Sequence, residues 1–105
     1  FPTANLQIAE QHVLPADGVY ACRVYLDDND AGLPAVTNVG VRPTFDGLRR
    51  TVEAHLLDWS GDLYGRSLRV EFLQRLRGEQ RFSGVEALVA QIGQDVARAR
   101  AILQP

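Results

Sequence analysis

Two oxygen-bearing side chains near the start of the sequence are spaced to bind one ligand. Thr3 and Asn5 are two residues apart, so an extended backbone places both side chains on the same side. Hydroxyl and amide oxygens suit a hydrated cation or a phosphate group. The same residue types are also typical of turns and helix caps, so the spacing alone leaves both interpretations open.

One carboxylate lies in a segment with the period of a β-strand. The alternation over residues 50–58 separates two sets of side chains, Val52, Ala54 and Leu56 on one side and Glu53, His55 and Leu57 on the other. On the outer face of an open sheet, Glu53 would be a solvated side chain. At the mouth of a small barrel, where few faces are free, it could accept a proton from a hydroxyl group.

A third segment combines residue types used to recognise anions and rings. Residues 38–45 read NVGVRPTF. The guanidinium of Arg42 suits an anion, and the ring of Phe45 suits stacking. The alternative is a surface loop with one buried aromatic anchor, and the residues alone do not decide between the two.

Other chemical motifs are not supported by the spacing. Residues 27–32 resemble the start of a calcium-binding loop, but Ala31 occupies a position that needs an oxygen ligand, so we interpret the run as a hairpin turn. His12 and His55 are far apart and have no cysteine cluster nearby, which argues against a zinc site. Cys22 lies in a strand-like segment and is predicted to be a small buried hydrophobic residue, not a nucleophile.

The composition is typical of one globular domain. The sequence has 105 residues, 46% of them hydrophobic, and a formal net charge of −2, which argues against nucleic acid as the main partner. All 11 basic residues are Arg, which excludes a Schiff-base lysine and a phosphate-loop lysine.

The single cysteine predicts a reducing compartment, the cytoplasm, and no apolar run approaches the roughly 20 residues of a membrane helix. Because Met is absent, we interpret the sequence as a fragment or a trimmed chain.

Strand-like segments followed by one helix predict a mainly β domain. Strands are expected over residues 18–27, 33–39, 50–58 and 67–77. A loop is expected over 40–49. From Val85 to Leu103 the apolar period becomes helical, and Ser83 and Glu86 have the spacing of a capping box. Short turns favour antiparallel pairing, so we predict a closed or nearly closed barrel with a helix of roughly 20 residues packed against it.

Taken in order, these segments resemble the riboflavin kinase family across essentially the whole chain. The PTAN segment is the most specific of them, whereas the helix pattern alone is unspecific. The matching segments are FPTANL at 1–6, GVYA at 18–21, NVGVRPTF at 38–45, VEAHL at 52–56, DLYG at 62–65, VEFL at 70–73, LRGE at 76–79 with Phe82, and QI at 91–92 with Asp95. In bacteria this domain is usually the C-terminal half of a bifunctional riboflavin kinase/FAD synthetase. The resemblance therefore implies an N-terminal adenylyltransferase domain in the full-length chain.

The resemblance implies a fold and a reaction. The family fold is a six-stranded, antiparallel, Greek-key-like β-barrel with a long C-terminal helix. The family reaction moves the γ-phosphoryl group of ATP to the ribityl 5′-hydroxyl of riboflavin, giving FMN and ADP. The family has a strand and a glycine-containing loop upstream of the FPTAN segment. Residues 1–105 are therefore expected to form an N-terminally truncated barrel without its first strand and part of its phosphate cradle.

The resemblance assigns three residues to the riboflavin side of the site. Glu53 matches the family's catalytic base. Because a primary alcohol is a very weak acid, Glu53 would position the hydroxyl and take its proton late. Arg77 and Phe82 fall in the segment that closes over the flavin ring in the family, and a planar guanidinium and an aromatic ring suit a flat ligand. A surface arginine is the alternative for Arg77.

The resemblance assigns the first segment to the nucleotide side of the site. Thr3 and Asn5 match residues that bind Mg²⁺ and ATP, and Pro2 belongs to the same segment. Tyr64 and Gly65 are expected to border the adenine. Mg²⁺ prefers oxygen ligands and keeps several waters, so two neutral side-chain oxygens together with phosphate oxygens are adequate.

Two functions of other classes stay open at this point. One is a non-catalytic flavin- or nucleotide-binding barrel, and the other is an interaction barrel that binds no small ligand. The presence of Thr3, Asn5 and Glu53 in one chain favours the kinase, because a purely binding barrel would not need a carboxylate at the ribityl end.

Overall fold

Five antiparallel strands and one helix make up the domain. The computed structural model describes residues 3–6, 14–27 and 29–104, and the predicted site residue Pro2 lies outside them. The elements are β1 (Thr3–Leu6), β2 (Gly18–Leu26), β3 (Leu33–Thr44), β4 (Gly47–Leu56), β5 (Leu68–Arg77) and α1 (Val85–Leu103). Their order in the sheet is β1-β4-β3-β2-β5. The prediction of a mainly β domain that ends in one helix is confirmed.

The hairpin between β3 and β4 is longer than the sequence suggested. The two strands pair along their full length, from Ala35 opposite Leu56 to Thr44 opposite Gly47. The predicted loop over 40–49 is therefore wrong, because both strands run through it to a tight turn. All of residues 41–50 are exposed, so no apolar alternation marks this part of the hairpin as strand.

Each face of the sheet has its own hydrophobic core. The first core consists of Ala4, Tyr20, Cys22, Val24, Leu26, Ala35, Val39, Val52, Ala54, Leu56 and Leu63. The second core consists of Val19, Ala21, Val36, Leu57 and Leu76, covered by Ala99 and Leu103 of α1. The predicted burial of Cys22 is confirmed, and that burial raises the pKa of its thiol to about 11. Because β4 alternates, Glu53 and His55 belong to the face that α1 covers.

Helix α1 packs on the sheet through its C-terminal half. Ala99 and Leu103 are buried, whereas Val85 in the first turn is 75% exposed. The capping box predicted at Ser83 is wrong, because Gly84 is the N-cap and no side chain caps the helix. The helix thus begins one residue later than the Ser83 hydroxyl requires.

No helix among the described residues combines the length and the apolar character that a membrane span needs.

The described strands leave the sheet open. β1 and β5 are its two edges, and residues from both strands border a common cavity. The observed fold is an unclosed sheet of five antiparallel strands, and the six-stranded barrel is not confirmed.

Candidate active site

The central strand of the candidate site is β4. Glu53 stands opposite Asn5 of β1 and opposite Asn38 of β3. His55 stands opposite Thr3, and its Nδ1 lies 2.7 Å from Thr3 Oγ1. Residues directly opposite each other in antiparallel strands have Cβ atoms about 4.5–5.5 Å apart. The pairing therefore brings Thr3, Asn5 and Glu53 together, although they are far apart in sequence.

A cavity of about 510 Å³ lies between this face of the sheet, the segment after β5, and α1. We call it the helix-side cavity. Six of its lining residues are Asn38, Glu53, Arg77, Phe82, Leu88 and Ile92. Its volume is in the range of about 300–1,000 Å³ that is usual for small-molecule sites. Three predicted site residues, Glu53, Arg77 and Phe82, thus border one cavity, and the partly exposed apolar side chains of α1 complete its wall.

Asn38, which lines this cavity opposite Glu53, has a side-chain oxygen without a partner in the described part of the chain. The Oδ1 atom of Asn38 is buried and makes no hydrogen bond with any described residue. Leaving a buried polar group unsatisfied costs free energy, so such an atom in a cavity wall is suited to a ligand hydroxyl. The sequence drew attention to the segment that contains Asn38, but it did not distinguish this residue from its neighbours.

The carboxylate of Glu53 is paired with Arg42 across the hairpin. Arg42 Nη2 donates to Glu53 Oε1 over 3.1 Å, and the side chains are 67% and 25% exposed, respectively. Exposed ion pairs of this kind contribute only about 0–1 kcal/mol. A substrate hydroxyl can therefore replace this contact at little cost, and Arg42 keeps a positive charge beside the carboxylate.

His55 interacts with the carboxylate of Glu53 and with the edge strand β1, where it contacts Thr3. Burial lowers the pKa of His55, while the negative charge of Glu53 opposes that shift. A lowered pKa favours the neutral imidazole, in which one ring nitrogen can accept a hydrogen bond. If Nδ1 is the acceptor, the Thr3 hydroxyl donates its hydrogen bond to His55, and the lone pairs of Oγ1 point toward other groups.

Arg77 is held in place by an acidic residue of the helix. Its Nε lies 3.0 Å from Oδ1 and 3.1 Å from Oδ2 of Asp95, and its Nη2 lies 2.8 Å from Oδ2. The centre of the guanidinium lies 5.7 Å from the centroid of the Phe82 ring. Sequence reasoning did not assign a role to Asp95. The available signal was an acid on the apolar helix face, between Ile92 and Ala99.

A second, larger cavity borders the other predicted residues. Its volume is about 1380 Å³, and Thr3, Asn5, Tyr64 and Gly65 all line it. We call it the edge cavity. The backbone N–H of Tyr64 donates to Asp62 Oδ1 over 2.9 Å, and Gly65 has a φ of 76°. A side chain at that φ would be strained, which explains the glycine in this turn.

The linings of the two cavities are linked by the pairing of β1 with β4. Thr3 and Asn5 line the edge cavity, while their partners on β4, His55 and Glu53, line the helix-side cavity. A group bound by the oxygens of β1 would therefore lie next to a group bound by Glu53.

The donor atoms of the site suit a metal ion only when a ligand supplies further oxygens. No three His, Cys, Asp or Glu side chains within the described residues are grouped so that they could hold a metal ion. Thr3 and Asn5 offer neutral oxygens on one strand. This set fits Mg²⁺, which keeps several waters and commonly shares its coordination between few protein oxygens and substrate phosphates.

Comparison with known proteins identifies the family. The flavokinase family model, described as riboflavin kinase, matches residues 1–103, so the chain belongs to the riboflavin kinase family. It is 50% identical over 105 residues to the bifunctional riboflavin kinase/FMN adenylyltransferase of Pseudomonas fluorescens, covering 99% of this chain and 33% of that protein. The enzyme of the same name from Bacillus subtilis is 33% identical over 102 residues, covering 94% of this chain and 32% of that protein.

A solved structure has the same fold. The crystal structure of a protein described as a macrolide-efflux protein from Streptococcus pneumoniae superposes with a TM-score of 0.84 and is 35% identical. The match covers 94% of this chain and 32% of that one. The chain likewise spans about one third of the curated relatives that it matches.

Proposed function

We propose that this chain transfers the γ-phosphoryl group of ATP to the ribityl 5′-hydroxyl of riboflavin, giving FMN and ADP. One observation carries the proposal. Glu53 and Asn38, whose buried amide oxygen has no partner among the described residues, stand opposite each other on adjacent strands and line one ligand-sized cavity. That pair of side chains suits a polyhydroxyl chain. Membership of the riboflavin kinase family suggests riboflavin as the phosphoryl acceptor and ATP as the phosphoryl donor.

The helix-side cavity is the proposed riboflavin site. The flat ring would lie against Phe82 and the apolar side chains of α1, and the ribityl chain would extend toward Asn38 and Glu53. Glu53 accepts a hydrogen bond from the 5′-hydroxyl and orients its oxygen. The proton moves to the carboxylate as the new phosphorus–oxygen bond forms and the bond from the γ-phosphorus to the bridging oxygen breaks.

The edge cavity is the proposed nucleotide site. Thr3 and Asn5 would hold Mg²⁺ together with the ATP phosphates, and Tyr64 and Gly65 would border the adenine. Mg²⁺, when bound, neutralises the charge of the phosphate oxygens and aligns them for transfer. The register of β1 on β4 supports this arrangement, because Asn5 stands opposite Glu53. Donor phosphate and acceptor hydroxyl would then approach each other across two adjacent strands.

The Glu53–Arg42 ion pair favours a second candidate, a flavin- or nucleotide-binding domain without catalysis. A carboxylate engaged by a guanidinium is a poorer proton acceptor than one that is unpaired. The Arg42 side chain is largely exposed, however, while that of Glu53 is half-buried, and ion pairs that reach solvent in this way are weak. The kinase is therefore the function that the geometry favours.

Separating binding from turnover decides between the two candidates. Riboflavin fluorescence would be titrated with the protein, because stacking on aromatic side chains quenches flavin emission. FMN formation would then be followed chromatographically with riboflavin and ATP, once with Mg²⁺ and once with EDTA. The kinase predicts quenching and FMN formation only with Mg²⁺. Quenching without FMN formation would favour the binding domain, and the absence of both would contradict the kinase and a flavin-binding domain.

Wider properties of the protein follow from the relatives as further proposals. We propose that an FMN adenylyltransferase domain precedes these residues, as the names of the relatives suggest, and that the protein works in the cytoplasm. We also propose that a strand before Thr3 completes a six-stranded barrel. The cavity shared by the edge strands β1 and β5 supports this closure.

A further inference from the structure

Asp95 is a buried acid that the proposed chemistry does not use. It is 5% exposed and is one of two buried polar or charged residues in the described ranges, the other being Thr37. A buried carboxylate is costly unless it is paired and hydrogen-bonded. The contacts that satisfy this carboxylate are therefore fixed features of the structure.

Asp95 accepts most of its hydrogen bonds from Arg77, which lines the helix-side cavity. Both of its oxygens accept from Arg77, and Oδ1 also accepts from Gln91 Nε2 over 3.0 Å. Arg77 Nη1 donates in addition to the carbonyl of Gly78 over 3.1 Å. A guanidinium held by a bidentate pair and a third hydrogen bond has one orientation. The ion pair is shielded, since the side chains of Arg77 and Asp95 are 18% and 7% exposed.

The fixed guanidinium in turn supports Phe82, which lies outside the helix and the sheet. Its ring centroid is 5.7 Å from the Arg77 guanidinium, within the distance of a cation–π contact. The pairing with Asp95 also neutralises Arg77. The Arg77 and Phe82 part of the wall therefore presents a guanidinium whose charge is balanced by Asp95 beside an aromatic ring, which suits a neutral aromatic ring system.

We propose that Asp95 is a positioning residue for riboflavin binding. By holding Arg77, and through it Phe82, it keeps the ring-binding wall of the helix-side cavity in its binding conformation before riboflavin arrives. This inference rests on the proposed function, because it assumes that riboflavin occupies this cavity. It assigns to α1 a role in substrate affinity in addition to its role in packing.

The test is riboflavin affinity in the full-length protein with Asp95→Asn. This change keeps the shape of the side chain and removes its charge. We expect the dissociation constant for riboflavin, from fluorescence quenching, to rise about 10- to 100-fold. We expect the KM for riboflavin to rise in parallel, with kcat at saturating riboflavin and the KM for ATP changed less than about threefold.

Two further variants separate positioning from general stability. Asp58→Asn is the matched control. It removes an exposed ion pair between Asp58, which follows β4, and Arg100 of α1, at 2.7 Å. Riboflavin affinity should not change in this variant. Gln91→Leu removes a single hydrogen bond to Asp95, and it should raise the riboflavin dissociation constant about threefold even if Asp95→Asn does not fold.

Each outcome has a defined consequence. Unchanged riboflavin affinity in a folded Asp95→Asn variant, or in Gln91→Leu if Asp95→Asn does not fold, overturns the positioning role and leaves the proposed function intact. A fall in kcat with unchanged riboflavin affinity also overturns it. If the unmodified protein does not quench riboflavin at all, the proposed function fails and this inference fails with it.

Discussion

Replacing Glu53 by Gln is expected to remove most of the phosphoryl transfer while leaving the domain folded. Gln has nearly the same shape as Glu but cannot accept the proton of the 5′-hydroxyl. Glu53 is half-buried on β4 between well-paired strands, so the substitution disturbs neither the sheet nor the two cavities. Any effect on rate can therefore be assigned to the carboxylate.

The expected magnitude follows from the contacts of Glu53. A positioned general base contributes about 100- to 10,000-fold to a rate, and each factor of ten corresponds to about 1.4 kcal/mol of activation free energy. The lost contact with Arg42 is an exposed ion pair, so the free energy of unfolding should change by less than about 1 kcal/mol. We therefore expect kcat to fall at least 100-fold with riboflavin and ATP affinities kept within about threefold.

The assay is steady-state FMN formation in the full-length protein, with riboflavin binding measured separately. Glu71→Gln is the matched control, because Glu71 is an exposed strand glutamate on β5 that lines neither cavity. Arg42→Gln removes the same ion pair but keeps the carboxylate, and we expect it to retain at least about one tenth of kcat. A Glu53→Gln variant that retains more than a tenth of kcat would refute the role of Glu53 as base.

The other predictions concern stability and the nucleotide. Burial holds the pKa of His55 below its ordinary 6.5 in the folded protein, so protonation favours the unfolded chain and the free energy of unfolding should fall below pH 6.5. His55→Gln should reduce that fall in urea denaturation. Gly18→Ala should cost roughly 1–3 kcal/mol, because φ is +155° and a Cβ would lie 2.8 Å from the carbonyl oxygen of Arg77. Gly93→Ala, with no neighbour within 4 Å, should raise the free energy of unfolding by about 1 kcal/mol. Tyr64→Ala should raise the KM for ATP roughly tenfold without lowering Tm, because a ring that stacks on a base contributes about 1–3 kcal/mol and Tyr64 is 93% exposed.

Apolar alternation made β4 and β5 predictable from the sequence, whereas β2 was predictable from its β-prone residues and the polar turn that follows them. Val52, Ala54 and Leu56 are all buried, as the period-2 pattern required, and the same pattern put Glu53 on the opposite face. The outer part of the β3–β4 hairpin could not be found in this way. Its residues are exposed on both faces, so its strand conformation depends on cross-strand hydrogen bonds and leaves no hydrophobic signal.

The sequence predicts only in part which side chains lie next to each other in the candidate active site. The spacing of Thr3 and Asn5 predicts a shared face, which an alternating strand supplies. Their position opposite His55 and Glu53 depends on the register of β1 on β4, and register is set by tertiary packing that local sequence does not encode. For the same reason, the pairing of Arg77 with Asp95 could not be foreseen, because it joins a strand end to a helix 18 residues further on.

The apolar periodicity of α1 overestimates how much of the helix is buried against the sheet. The apolar stripe from Val85 to Leu103 predicts one buried face, but Val85 and Val89 are 75% and 60% exposed. Two other residues of the stripe, Leu88 and Ile92, line the helix-side cavity. A ligand-binding wall and a packed core have the same sequence pattern, because both need apolar side chains at helical spacing.

The fate of the γ-phosphoryl group of ATP tests the central claim most directly. The full-length protein would be given riboflavin, Mg²⁺ and γ-labelled ATP, and the labelled products would be separated. We predict that the label appears in FMN, with one ADP formed for each labelled FMN. Label found only in inorganic phosphate, or no transfer by a protein that binds riboflavin, would contradict a direct transfer between the two cavities.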